Sequence, residues 1–147
     1  MKTVLCSRTR PSQIGEEIYD GGFGYTLDFS WAKWPKDLEG VHTLNGCFDP
    51  EGNLYVATEN PENPVVIFSP EGEYLRSIGA GLFKKAHSVF LTPHRTILTA
   101  DTSPGYHVIR EITMDGELVY DFGTLGQPGD SGYDLNYLKT LEKEGRV

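Results

Sequence analysis

Between Leu44 and Phe122 the chain is cut into short apolar runs separated by turn residues, and within the runs apolar and polar positions alternate. The first four fall at about Leu44–Phe48, Asn53–Thr58, Val65–Ser69 and Tyr74–Ile78, and the next four at about His87–Leu91, Thr96–Asp101, His107–Thr113 and Glu117–Phe122. Short runs rich in β-branched and aromatic residues read as strands. Asp-Pro-Glu-Gly, Pro-Glu-Gly and Met-Asp-Gly stand between them. Pro presets one backbone angle and Gly accepts positive φ, so these are tight turns. Upstream, Tyr25–Trp31 also alternates, with Tyr25, Leu27, Phe29 and Trp31 on one face, which predicts a half-buried strand. Downstream of Gly123 a Gly/Pro-rich loop precedes Leu135, Leu138 and Leu141 at helical spacing; with Asp134 as cap they predict a short helix over Asp134–Glu144.

The two sets of runs are copies of each other. DPEGNLYVAT lies over TPHRTILTAD at an offset of 43 residues, and FSPEGEYLRSIG over ITMDGELVYDFG at an offset of 44. Leu54 and Ala57 therefore match Ile97 and Ala100, while Gly72 and Gly79 match Gly116 and Gly123. The extra residue falls in a connection, Glu59–Pro64 against Thr102–His107. There it is harmless, whereas inside a strand it would reverse every side chain. Four strands in about 40–45 residues is the period of a β-propeller blade. The expectation is an all-β chain with an arm over 1–22 and a blade region over 23–123, its two four-stranded repeats at about 44–79 and 87–123. Residues 124–147 are expected to form a loop and short helix leading to a missing next blade, so that the chain is the front half of a larger domain. Two blades cannot close a ring, and two sheet faces should lie bare. That predicts self-association or pairing with the remaining half of a propeller.

Composition narrows the partners. A formal charge of −8, with Lys84-Lys85 the only adjacent basic pair, argues against nucleic acid. The N-terminal apolar run is too short for a signal peptide and nothing approaches a membrane span, which makes the cytoplasm the expected address. Cys6 and Cys47 lack metal-ligand spacing and are expected to be reduced there.

The segments NLYVA (53–57) with VIFSPEGEYLRSIG (66–79), and ADT (100–102) with HVIREITMDGEL (107–118), resemble NHL repeats, over about Val41–Gly132. The resemblance implies a six-bladed propeller in which Asp101 and His107 hold the signature positions of the repeat. On GLFKKAHSV (81–89), ADT and GTLGQPGDSG (123–132) the chain is similar to the lyase domains that cleave peptidyl-α-hydroxyglycine to an amidated peptide and glyoxylate. That family implies a zinc held by three histidines from three innermost strands, one of which would be His87. Ala86 and Ser88 stand where the family has proline and glycine. Calcium is a further cation that the resemblance alone suggests. The family's catalytic arginine is missing from ATENPENP (57–64), and its tyrosine would lie beyond Val147. The chain by itself is therefore expected to be inactive, with any lyase site completed by blades outside it.

Each candidate has a plainer reading. His87 either ligates metal or merely opens the innermost strand, its nitrogens satisfied by backbone or water. His42, just before the first innermost strand, is a second metal candidate. His107 is expected to hydrogen-bond within its blade, His94 to sit exposed in a hairpin turn, and Asp101 to tie its own strand end. Glu59, Asn60, Glu62 and Asn63 form a polar loop on a face where propellers bind ligands, although the plainer reading of such a charge cluster, a solvated loop, is the favoured one. Trp31 and Trp34 are expected to pack. Two classes of function follow, a metal-dependent lyase or a non-catalytic propeller scaffold for a protein or small ligand, and fold alone does not choose between them.

Overall fold

The computed structural model describes residues 17–20, 23–26, 28, 30–128, 139–140 and 142–145. Within them the chain is essentially all-β. β1 (Glu17–Asp20) and β2 (Phe23–Thr26) form a hairpin. β3 (Thr43–Phe48), β4 (Leu54–Thr58), β5 (Val65–Phe68) and β6 (Tyr74–Ile78) form one antiparallel four-stranded sheet in chain order. β7 (Phe90–Leu91), β8 (Thr96–Asp101), β9 (Val108–Thr113) and β10 (Leu118–Phe122) form a second of the same topology.

The repeat extends to details that pattern alone does not specify. β5 meets β6 through a bulge that leaves Leu75 exposed, and β9 meets β10 through a bulge that leaves Val119 exposed. The β5–β6 turn is tied by Ser69, whose Oγ accepts the N–H groups of Glu71 and Glu73. In the β9–β10 turn Thr113 Oγ1 accepts from Asp115 and Glu117. Asp49 Oδ1 likewise accepts from Asn53, and Thr92 Oγ1 from Thr96. A short side chain at the start of each turn thus replaces a lost ladder bond.

Strand register sorts side chains into faces. In the first sheet Tyr55, Ala57, Val65, Ile67 and Ile78 share one face and are buried against Phe83, Ala86, Val89, Ile97 and Ile112 of the second sheet and the connection to it. Leu54, Val56, Val66, Phe68 and Tyr74 occupy the opposite face, which is covered by Trp31, Trp34 and Leu38. The Trp34 ring meets Phe68 edge-on at 4.8 Å between centroids. β5 is consequently buried along its whole length.

Several expectations are corrected. The strand foreseen at Tyr25–Trp31 ends at Thr26; Asp28 Oδ1 accepts from the Ser30 N–H and hydroxyl, which turns the chain, while Leu27 and Phe29 lie outside the described residues. The foreseen arm contributes β1. β7 is shorter than His87–Leu91 because the Val89 N–H leaves the ladder for Asn45 Oδ1, and the Ala100 N–H goes to Ser88 Oγ. Most of Asp134–Glu144 lies outside the described residues, and among the described ones only helical turns at 139–140 and 142–143 are found. One sheet face lies bare where two were expected, since segment 31–38 covers the outer face of the first sheet.

Phe68 has no exposed surface and touches Trp31, Trp34 and Tyr74. Phe68→Ala is expected to cost about 3–5 kcal/mol in urea unfolding; a loss below about 1 kcal/mol would mean that segment 31–38 does not hold the sheet.

Candidate functional site at the inner strand ends

β3 and β7 occupy corresponding edges of their sheets and touch. Asn45 Oδ1, 2.8 Å from the Val89 nitrogen, links these two edge strands directly. The end at which β3 and β7 begin and β4 and β8 finish gathers His42, loop 59–64, residues 84–87 and the turn after Asp101.

An ion cluster spans the two sheets there. Glu59 Oε1 lies 3.0 Å from His42 Nδ1 and also takes the ammonium of Lys85. The Glu59 N–H donates to the His42 carbonyl, which fixes the start of β3 against the end of β4. Lys85, followed by His42, holds the Glu59 carboxyl below its usual range. Beneath the cluster, buried Asp101 accepts through Oδ2 from the N–H groups of Lys84 and Lys85, at 2.7 and 3.0 Å, and through Oδ1 from Ser103 at 2.8 Å. Asp101 thereby anchors the segment that carries Lys85 and His87.

His87 is exposed, with its backbone N–H on the Ala100 carbonyl, just ahead of β7. His42 is brought to Glu59, whereas His87 stands outside that ion cluster. Among the described residues no three His, Cys, Asp or Glu side chains gather closely enough to hold a metal. His94 is exposed in its turn. His107 forms no side-chain bond within its sheet, contrary to expectation; it is exposed, and the chain turns there through a positive φ of 44°. The polar loop is largely self-satisfied: Thr58 Oγ1 donates to the Asn63 carbonyl, Asn60 Oδ1 accepts from Glu62, and Ser77 Oγ donates to Asn63 Oδ1.

Sequence reasoning missed Arg110. Its guanidinium is buried on the face turned to the first sheet, 2.9 Å from Asp121 Oδ1, donates to the Leu82 carbonyl, and lies 6.0 Å from the Phe83 ring centre. The signal was the alternation Val108, Arg110, Ile112, which places an arginine on an apolar face, where it needs an acid across the strand pair. Cys47 is a half-buried thiol, pushed up by burial.

Comparison with family models, curated proteins and solved structures finds no significant match to the chain. No helix among the described residues is long and apolar enough to cross a membrane.

Two outcomes follow. Asp101→Ala is expected to lose about 2–4 kcal/mol of stability, because three buried or half-buried N–H groups lose their acceptor. Titration of Glu59 by NMR should give a midpoint below the usual glutamate value of about 4.3, rising in Lys85→Met. Because the folded value is depressed, the stabilisation is present above the ordinary midpoint and is lost as pH falls through the lowered one. Equal midpoints in the two proteins would remove Lys85 from the account.

Proposed function

We propose that this chain is a pair of NHL-type β-propeller blades serving as a non-catalytic scaffold, which presents the inner strand ends and their loops to a protein or small ligand. The blade reading is supported by two four-stranded meanders of one period, with matching bulges and turns and with β3 and β7 side by side. The observation that carries the scaffold reading is the commitment of Glu59. The family's catalytic arginine would stand beside it, yet Glu59 is occupied by Lys85 and His42, and that ion pair ties one sheet to the next. Asp101 is spent in the same way on three backbone donors.

One observation favours the second reading, a zinc-dependent lyase completed by further blades. The His87 imidazole is exposed just ahead of β7, and neutral imidazole is a good zinc ligand. A single histidine holds zinc weakly, because tight sites use three or four protein ligands.

The two readings separate in an assay of N-benzoyl-α-hydroxyglycine cleavage, read as glyoxylate, with and without added zinc. The scaffold reading expects glyoxylate at the buffer rate and zinc that dialyses away. Zinc-dependent release of glyoxylate, abolished by His87→Ala, would overturn it in favour of the lyase.

A further inference from the structure

The first repeat shows what belongs in a cleft that the second leaves open. Phe83, on the connection between the sheets, is fully buried in the layer that holds Ala57, Val65 and Ile78. Its ring lies on Gly79, where a Cβ would fall 3.2 Å from Phe83 Cε2 and 3.5 Å from Pro64 Cγ. By the 43–44-residue offset the counterparts of Ala57, Pro64, Val65, Ile78 and Gly79 are Ala100, Val108, Ile109, Phe122 and Gly123. The registers agree, for Val65 pairs with Ala57 and Ile78 as Ile109 does with Ala100 and Phe122. All five counterparts line an open cleft of about 470 Å³ on the outer side of the second sheet, a size within the range of ligand pockets. The counterpart of Phe83 is Gln127, exposed at the rim. The socket that a phenylalanine fills in the first repeat thus has no ring from that position in the second.

Beside the cleft the same face departs from its template. Glu111 stands where the first repeat buries Ile67, two residues along β9 from Ile109 and between Leu98 and Tyr120. Glu111 is half-buried; Thr96 Oγ1 donates to its Oε1 at 2.5 Å, and no described lysine, arginine or histidine pairs with it. A purely apolar cover would strip water from this carboxylate and give nothing back. Whatever lies on the face must therefore bring a cation. Tyr120 stands across the strand pair from Glu111, and its ring meets Phe122 edge-on at 4.9 Å between centroids. A guanidinium pairs with a carboxylate through its planar fork and stacks on aromatic rings, so arginine fits this place better than lysine.

We propose that the outer face of the second sheet binds an extended peptide segment of another protein, whose aromatic side chain fills the cleft and whose arginine pairs with Glu111. Size points to a segment and not to a folded partner. The face measures about 19 by 16 Å, on the order of 300 Å², well under the roughly 800 Å² that each partner gives to a standard interface. Side chains two apart on an extended chain share a face and lie about 7 Å from each other, which is the spacing of Ile109 from Glu111. The recognised pattern is an aromatic residue with an arginine two positions away. The formal charge of −8 draws such a basic segment to the chain. The inference rests on the sheet registers and the cleft, so it stands or falls separately from the glyoxylate assay.

NMR titration of the full chain with the peptide Arg-Ala-Phe-Ala-Arg, blocked at both ends, tests this in about 0.15 M salt. The expected result is saturable shifts of the Ile109, Phe122 and Gly123 amides. Affinity should fall about tenfold or more when the peptide's phenylalanine becomes alanine, and about threefold or more when both its arginines become glutamine. Ala100→Leu fills the cleft and should abolish the shifts. Glu111→Gln should keep the preference for phenylalanine and erase the difference between the arginine and glutamine peptides. Circular dichroism checks that each variant is folded, and Ile109→Asn, which makes the cleft polar, replaces Ala100→Leu if that one is not. Shifts that follow arginine alone, shifts confined to other surfaces, or no saturable shift would each overturn the proposal. So would contacts showing that a ring of the chain itself already fills the cleft before peptide is added.

Discussion

A four-stranded sheet that is apolar on both faces cannot stand alone in water, and this constraint organises the molecule. Val65, Val66, Ile67 and Phe68 alternate between the two faces of the first sheet, and every one of them is buried. At about 25 cal/mol per Å² of apolar surface, exposing either face would cost several kcal/mol, comparable with the whole stability of a small domain. One face is covered by the second sheet and the other by Trp31, Trp34 and Leu38. The ion cluster at the inner strand ends is a consequence of the first arrangement. Lys85 reaches Glu59 because the apolar layer beneath sets β3 and β7 side by side, with Asp101 anchoring the segment that carries Lys85.

How far this was legible depends on where the cause lies. Period-2 alternation between turn residues is a local signal, and it located β6 and β8 to the residue and the other repeat strands to within a few. β7 was the exception, for its shortening comes from Asn45, 44 residues from Val89 along the chain. A strand that loses an N–H to a distant side chain looks no different in sequence from one that keeps it. Tyr25–Trp31 failed for a related reason. Its alternation is real, yet the local bond from Ser30 to Asp28 breaks the extended backbone and frees Trp31 to cover Phe68. Packing was correctly expected of the tryptophans, but their role as substitute for a whole sheet became visible only with the faces in view.

The candidate site divides along the same line. Asp101 was read as tying its strand end and does so, whereas His107 contributes a turn and no side-chain bond. The resemblance directed attention to His87 as a ligand. The geometry instead directs it to Glu59, which sequence had grouped with a solvated loop. An acid, a lysine from the connection between the sheets and a histidine from just before β3 share no local motif, so only the packing of the sheets brings them together.

The central claim is that the two sheets are one cooperative stack joined through the Tyr55, Ile67, Ile97 and Ile112 layer. Native-state hydrogen exchange of an Ile67→Ala variant tests it most directly. The account predicts that amides of β5, β8 and β9 exchange through one shared opening, and that the substitution lowers their protection by the same free energy. Wild-type protection in β8 and β9 beside a weakened β5 would show that the sheets fold as separate units, and would contradict it.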